Sequence, residues 1–239
     1  MTNRRPQLLI VSASRLPSAE FEASSLLGRS LRRLSYNDRI QVRASTGNRN
    51  GLPVVFNAQI NEQNRDKILL FIHDDVWLDD YFVYERLLKA LAVFDIVGLA
   101  GNIRRLPGQP AWGGISEDPF TTEDPQNLVG VVAHGDEPGA SLTYFGGPPG
   151  RRCRLIDGVF IAANCETLLR SGVRFDERFL FDFYDMDFCR SAEAANLSIG
   201  TWPIAITHAS KGNFGSPTWY AGLRAYRAKW NDYPNTAVR

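Results

Sequence analysis

A chain of 239 residues is long enough to bury a substantial hydrophobic core, and it fits one large domain. Its 27 lysines and arginines nearly balance 26 aspartates and glutamates, so the charge gives no reason to expect nucleic acid or an anionic lipid surface as a partner. No apolar run approaches the length that crosses a bilayer. Cys153, Cys165 and Cys189 lack both metal-site spacing and the even number of a disulfide framework, so we interpret them as reduced thiols of a cytoplasmic protein.

Apolar strands alternate with helical segments, which predicts an α/β fold with a mostly parallel central sheet flanked by helices. We predict strands at Leu8–Ala13, Ile40–Ala44, Lys67–Asp75, Asp95–Leu99, Leu128–Ala133, Leu155–Ala163 and Ile199–Thr207. We predict helices at Glu20–Leu34, at Pro53–Asn64, after a cap at Asp79 or Asp80, from Asp185 to about Asn196, and in the tail that follows the loop SKGNFGS. The glycine- and proline-rich segment from Arg104 to Arg152 predicts long loops around an edge strand rather than a separate domain.

The sequence KILLFIHDD, Lys67–Asp75, ends a buried strand in one imidazole and two carboxylates. Ligands of open parallel sheets bind just beyond the carboxyl ends of the strands, which is where these three side chains should lie. Because side chains alternate along an extended backbone, we expect His73 and Asp75 on one side and Asp74 on the other. His73 and Asp75 together would suit a cation and a diphosphate that the cation bridges.

Two polar turns are predicted at the same edge of the sheet. The turn after the first strand offers the hydroxyls of Ser12 and Ser14 and the guanidinium of Arg15, which would suit a nucleotide. The loop Ser45–Gly51, which contains Asn48, has the hydrogen-bonding composition of a ligand loop, although a solvated turn has the same composition.

A second acidic centre follows in the sequence RFLFDFYDMDFCRSAEAANL, with Asp185 at or near the start of a helix and Asp187 close to it. Taken alone, the spacing of Asp185 fits a helix cap better than a catalytic group. His208, at the end of a later strand, likewise fits a core histidine bonded to a backbone carbonyl. The charged end of Lys67–Asp75 is harder to explain structurally, because ionisable groups at the tip of a buried strand are costly unless they are solvated or bound.

The order of four segments resembles the GT-A fold nucleotide-sugar glycosyltransferases, especially the inverting family 2 group and its bacterial members with a histidine in the first motif. The segments are VVFNAQI around Asn57, ILLFIHDDV, LIDGVFIA, and FYDMDFCRSAEAANLSI followed by THASKG. The second of these resembles the Asp-X-Asp motif, with His73 in place of the first aspartate. Tyr184 stands where the family often has glutamate before its catalytic aspartate.

The resemblance implies one glycosyltransferase domain over residues 1–239, with a nucleotide-sugar-binding half at 1–103 and an acceptor half at 104–239 that contains a smaller sheet. It implies inverting transfer from a nucleoside diphosphate sugar, with uridine diphosphate as the expected carrier, to a hydroxyl of a glycan or another acceptor. Asp185 would be the general base, and Asp75 and His208 would bind Mn²⁺ or Mg²⁺. The expected donor-binding residues are Ser12, Ser14, Arg15, Asn48, Asn57, His73, Asp74 and Lys211. The expected acceptor-binding residues are Trp112, Asp157, Gly158, Tyr184 and Asp187.

Two alternatives stay open on the sequence. A nucleotidyltransferase shares the α/β plan, but SASRLPS is a poor version of its glycine-rich phosphate loop. A catalytically silent protein that binds a sugar nucleotide or a glycan would keep donor binding without turnover.

Overall fold

The computed structural model describes residues 5–210 and 212–234, which form two six-stranded sheets, a two-stranded hairpin and seven α-helices. The strands are β1 (Leu8–Ala13), β2 (Ile40–Ser45), β3 (Ile68–Ile72), β4 (Val76–Leu78), β5 (Ile96–Gly98), β6 (Ala100–Asn102), β7 (Gly114–Glu117), β8 (Phe120–Thr122), β9 (Leu128–His134), β10 (Ser141–Tyr144), β11 (Leu155–Ile156), β12 (Phe160–Asn164), β13 (Ile199–Thr201) and β14 (Ile206–His208). The helices are α1 (Ser18–Ser24), α2 (Leu26–Leu31), α3 (Leu52–Asn57), α4 (Val83–Ala90), α5 (Cys165–Ser171), α6 (Tyr184–Ala194) and α7 (Pro217–Trp230).

The central sheet has the strand order β13-β5-β12-β3-β1-β2, and only β12 runs antiparallel to its neighbours. Successive residues of β1 enter opposite cores, with Leu9 on one face of the sheet and Ile10 on the other. Helices α3, α5, α6 and α7 cover the first face, and α1, α2 and α4 cover the second. This three-layer arrangement confirms the predicted α/β class, because a sheet buried on both faces needs apolar side chains in both directions.

Two of the predicted strands are interrupted where the chain crosses between the central sheet and the second sheet. Leu155–Ala163 divides into β11 and β12 at Asp157 and Gly158, and Ile199–Thr207 divides into β13 and β14. The second sheet has the order β11-β6-β9-β14-β4, with β10 also paired to β9. The edge position predicted for the strand at Leu128–Ala133 was therefore wrong, because β9 has partners on both sides.

Two predicted helices are shorter than their apolar patterns indicated. Glu20–Leu34 is divided at Ser25, whose extended backbone ends α1 and whose hydroxyl accepts the Gly28 N–H to cap α2. The predicted helix Pro53–Asn64 ends as α3 at Asn57. Beyond it, the side chain of Asn64 donates to the Gln59 carbonyl, which competes with helical bonding.

Within the described ranges, no helix is both long and apolar enough to cross a membrane. Cys153, Cys165 and Cys189 are buried free thiols, which agrees with their interpretation as reduced cysteines.

Gly28 allows α1 and α2 to pack closely, which gives a test of the fold. A Cβ atom at this position would lie 2.8 Å from the carbonyl carbon of Phe21 and nearer still to its oxygen. Because the obstructing atoms are backbone, we expect Gly28→Ala to lower the free energy of unfolding by about 1–3 kcal/mol. Gly113 has no atom within 4 Å of the corresponding position, so Gly113→Ala is the matched control. Urea denaturation of both variants decides the point, and equal stabilities would contradict this packing.

Candidate active site

A cleft of about 620 Å³ lies where the two sheets meet, within the size range of small-molecule sites. All three histidines of the chain line it: His73 follows β3, His134 ends β9 and His208 ends β14. The His208 ring centroid is 5.9 Å from that of His73 and 6.0 Å from that of His134. Asp157 and Asp185 line the same cleft.

His73, Asp75 and His208 form a compact cluster. Asp75 Oδ1 is 3.4 Å from His208 Nε2 and 3.9 Å from His73 Nδ1. The predicted shared side of His73 and Asp75 is therefore observed. Burial disfavours the charged forms of Asp75 and His208, but their attraction for each other outweighs it. The pKa of the Asp75 carboxyl is therefore lowered, with both imidazoles contributing, and the pKa of His208 is raised by Asp75. Burial dominates at His73 and lowers its pKa, which favours the neutral ring.

The cluster has two features of a cation site: suitable ligand atoms close together, and buried polar atoms without a hydrogen-bond partner among the described residues. Its three ligand atoms all lie within 4.8 Å of one another. Asp75 Oδ1 and His208 Nε2 are buried without a hydrogen-bond partner among the described residues, an arrangement that normally carries a free-energy penalty. Carboxylate oxygen and neutral imidazole are both good ligands for divalent metals. The residues therefore fit a divalent ion.

Asp185 approaches the cleft from the first turn of α6. Its Oδ2 accepts the Gly158 N–H at 3.0 Å, and its Oδ1 accepts the Met186 N–H at 2.8 Å. Removal from water raises its pKa to about 7, and the Asp157 carboxylate acts in the same direction, whereas the two backbone donors oppose the shift. Asp185 is not the residue that caps the helix. Phe183 occupies that position with a left-handed backbone, φ 68°, which is unusual for a residue with a side chain.

The predicted acceptor-side residues Trp112, Asp157, Gly158 and Tyr184 all line the cleft. The Trp112 indole donates from Nε1 to Asp157 Oδ2 at 2.9 Å, so the tryptophan and the carboxylate fix each other's positions. The Tyr184 hydroxyl lies 2.8 Å from His73 Nε2 and donates to the Gly158 carbonyl at 2.7 Å. Both contacts of the Tyr184 hydroxyl are therefore made to other residues of the protein.

The two polar turns predicted for the donor lie side by side. The Ser14 N–H donates to the Ser45 carbonyl at 2.9 Å, and the Asn48 N–H donates to the Ser14 carbonyl at 2.8 Å. Ser12 is fully buried, and Arg15 is exposed. Asp74 separates His73 from Asp75 in the chain, and its carbonyl accepts the Leu27 N–H. Lys211, also predicted to bind the donor, lies outside the described residues.

The predicted donor residues Ser12, Ser14, Arg15, Asn48 and Asp74 do not line this cleft. Two further predicted site residues, Asn57 and Asp187, also lie outside it and are bonded elsewhere. Asn57 has its amide fully engaged: it donates to the Phe175 carbonyl at 2.8 Å and accepts the Phe175 N–H at 3.0 Å. Asp187 is fully buried beneath α7, where its Oδ2 accepts from Lys229 and its Oδ1 from Trp230, both at 2.8 Å. Residues two apart on a helix face different directions, so Asp185 at the cleft requires Asp187 to point elsewhere.

The sequence reasoning did not find several cleft residues. His134 accompanies His208 in the second sheet, and a signal was present, since His134 also lies at the carboxyl end of a strand. The ring centroids of Phe120, in the β7–β8 hairpin, and Phe214 are 4.9 Å apart. Their contacts join segments that are distant in sequence, and no local pattern indicates them.

The sequence matches no family model and no curated protein. Solved structures are similar in fold. A mannosyltransferase from Pyrobaculum calidifontis in complex with GDP-Man and Mn²⁺ aligns with a TM-score of 0.50 at 11% identity, over 89% of this chain and 59% of that one. GalNAc-T7 with UDP, GalNAc and Mn²⁺ aligns with a TM-score of 0.51 at 8% identity, over 95% of this chain and 49% of that one. The chain thus spans about half to three-fifths of their lengths. The predicted GT-A fold is confirmed, while membership of family 2 stays a prediction.

The raised pKa of Asp185 predicts a pH-dependent cost to stability. The folded protein holds this proton up to about pH 7, while the unfolded chain releases it near pH 4, so folding loses free energy as pH rises through that window. Asp185→Asn keeps an oxygen for the Gly158 N–H and removes the charge. After allowance for partial exposure, we expect the variant to gain about 1–2 kcal/mol over wild type between pH 5 and pH 8.

Urea unfolding with a chelator present measures this difference. Asp38→Asn, which changes an exposed aspartate outside the cleft, is the matched control and should follow wild type at both pH values. An Asp185→Asn variant that runs parallel to wild type across this range would show that the folded carboxyl has an ordinary pKa.

Proposed function

We propose that the protein is a metal-dependent glycosyltransferase that transfers a sugar, with inversion, from a nucleoside diphosphate sugar to an acceptor hydroxyl. One observation carries this proposal: a cation-type cluster and a second carboxylate with a raised pKa, that of Asp185, serve the same cleft. Transfer of this kind needs both functions, because the diphosphate must leave as an anion while the attacking hydroxyl loses a proton. The GT-A fold supports the proposal, since it is shared with two proteins whose structures contain a nucleotide or sugar nucleotide and Mn²⁺.

His73, Asp75 and His208 would hold the divalent ion. A bound ion supplies Lewis-acid stabilisation of the departing diphosphate. Two of the three candidate ligands are imidazoles, which Mn²⁺ accepts more readily than the harder Mg²⁺ does, and both similar structures contain Mn²⁺. We therefore favour Mn²⁺ over Mg²⁺. Among the three residues, Asp75 carries the only formal negative charge and should contribute most to affinity.

Asp185 would accept the proton of the acceptor hydroxyl. Each of its oxygens accepts one backbone N–H, and because a carboxylate oxygen has two lone pairs, one remains available toward the cleft. These two backbone bonds fix the carboxylate in place before the acceptor arrives. A base with a pKa near 7 is stronger than an ordinary aspartate and is still ionised in about half of the molecules at neutral pH.

The remaining assignments follow the two halves of the chain. We propose that residues 1–103 bind the donor, with the adjoining turns that contain Ser12, Ser14, Arg15 and Asn48 near the nucleotide, together with Asp74 and Lys211. Residues 104–239 would present the acceptor against Trp112, Asp157, Gly158 and Tyr184. The indole of Trp112 is held at the cleft by Asp157, so its ring is fixed in advance for contact with a sugar. A uridine diphosphate carrier and a cytoplasmic location stay predictions.

A donor screen tests the proposal. Wild type is incubated with uridine and guanosine diphosphate sugars in Mn²⁺ and, in parallel, in Mg²⁺, and nucleoside diphosphate release is measured with and without mixed glycan acceptors. We expect release that needs Mn²⁺ at lower concentration than Mg²⁺. Asp185→Asn should lose about 10²–10⁴-fold of this rate while calorimetric donor binding is retained. Asp75→Asn should weaken Mn²⁺ binding itself, and Asp38→Asn should match wild type.

The outcomes separate the competing functions. Equal release by wild type and Asp185→Asn would remove Asp185 as the base. Donor binding by wild type without any release would instead identify a catalytically silent binding protein.

A further inference from the structure

Tyr184 is buried at the start of α6, and its hydroxyl contacts two groups that belong to the cleft. It donates to the Gly158 carbonyl at 2.7 Å, and it lies 2.8 Å from His73 Nε2. The ring is fixed by aromatic packing, with centroids 5.9 Å from Phe175 and 6.0 Å from Phe56. The hydroxyl therefore has little freedom to leave these partners.

The hydrogen bonds of the Tyr184 hydroxyl determine which nitrogen of His73 carries a proton. A carbonyl oxygen only accepts hydrogen bonds, so the single hydroxyl proton of Tyr184 goes to Gly158. The hydroxyl oxygen can then only accept from His73, which requires a proton on His73 Nε2. In the neutral ring the other nitrogen, Nδ1, is left with a lone pair. The same Nδ1 lies 3.9 Å from Asp75 Oδ1, itself an acceptor without a hydrogen-bond partner.

We propose that Tyr184 is a positioning residue that fixes His73 as the Nε2–H tautomer and directs the Nδ1 lone pair at the cation site, making His73 a metal ligand. This inference deepens the proposed function and rests on its metal site. It gives a structural reason for the proposed ligand role of His73, which the sequence analysis had placed with the donor. A second residue that holds a ligand histidine by its other nitrogen is a common means of setting the ring's orientation and basicity.

Gly158 makes this contact possible. A Cβ atom at position 158 would lie 2.7 Å from the Tyr184 ring carbon that bears the hydroxyl, and closer still to the hydroxyl oxygen. It would also lie 2.9 Å from the Asp185 Cβ. The absence of a side chain at Gly158 thus allows α6 to bring Tyr184 to His73 and Asp185 to the cleft at the same time. The turn between β11 and β12 thereby links the candidate base to the candidate metal ligand.

The test removes the hydroxyl and keeps the ring. Tyr184→Phe is compared with Tyr226→Phe, a matched control that removes another buried tyrosine hydroxyl, one that lies outside the cleft and has no hydrogen-bond partner among the described residues. Long-range ¹H–¹⁵N correlation spectra, recorded without metal at a pH where the rings are neutral, report the tautomer of each histidine. The chain has three histidines, so His73→Gln assigns the signals. Mn²⁺ affinity is measured separately by electron paramagnetic resonance titration.

We expect wild type and Tyr226→Phe to hold His73 as the Nε2–H tautomer. Tyr184→Phe should show mixed tautomers, and its Mn²⁺ dissociation constant should rise about 10-fold or more. The inference is overturned if wild-type His73 is protonated on Nδ1, or if Tyr184→Phe leaves both the tautomer and the Mn²⁺ affinity unchanged. Absence of Mn²⁺ binding by wild type would refute the proposed metal site, while the spectra of wild type and Tyr184→Phe would still decide the tautomer.

Discussion

The buried contact between Asp75 Oδ1 and His208 Nε2 is the constraint on which the account of this protein depends. Neither atom has a hydrogen-bond partner among the described residues, and removing such groups from water without compensation costs free energy. The mutual attraction of the two groups offsets part of that cost, and the proposed divalent ion would offset the rest. The contact is produced by sheet pairing, because β14 runs antiparallel to β4 with His208 opposite Val76, and the Ala209 N–H donates to the Asp75 carbonyl.

The position of the cleft follows from the way the chain moves between its two sheets. The central sheet supplies His73 and Asp75 just beyond the end of β3, before the chain continues into β4 of the second sheet. The turn with Asp157 and Gly158 makes a similar crossing between β11 and β12. Crossings interrupt regular pairing and leave backbone and side chains free to face a ligand. This is why His73, Asp75 and Asp157 lie at breaks in strands that the sequence pattern presents as continuous.

The sequence predicted elements well where a local pattern determines them. The continuous apolar runs of β1 and β3 were found with their correct bounds to within a few residues, and strand alternation correctly placed His73 and Asp75 on one side. The start of α6 was found to within one residue, which placed Asp185 correctly relative to its helix. These predictions succeeded because strand alternation and helix periodicity are properties of neighbouring residues.

The failures concern contacts between distant segments. Asn57 and Asp187 have polar side chains near site motifs, but their partners Phe175, Lys229 and Trp230 come from elsewhere in the chain and draw them away from the cleft. No periodicity shows that a strand will cross between sheets, or that Ser25 will end one helix and cap the next. Local rules are also broken at the site itself, where Phe183 adopts a left-handed backbone immediately before Tyr184 and Asp185.

The central claim is that one cation, held at Asp75, faces Asp185 across the cleft. Anomalous diffraction at the manganese edge, from crystals grown with Mn²⁺ and a non-hydrolysable nucleoside diphosphate sugar, tests it most directly. The account predicts one manganese peak bonded to Asp75, His208 and His73 Nδ1, with the diphosphate on the ion and the sugar between the ion and Asp185. A donor bound with its diphosphate away from Asp75, or a manganese peak outside this cluster, would contradict it.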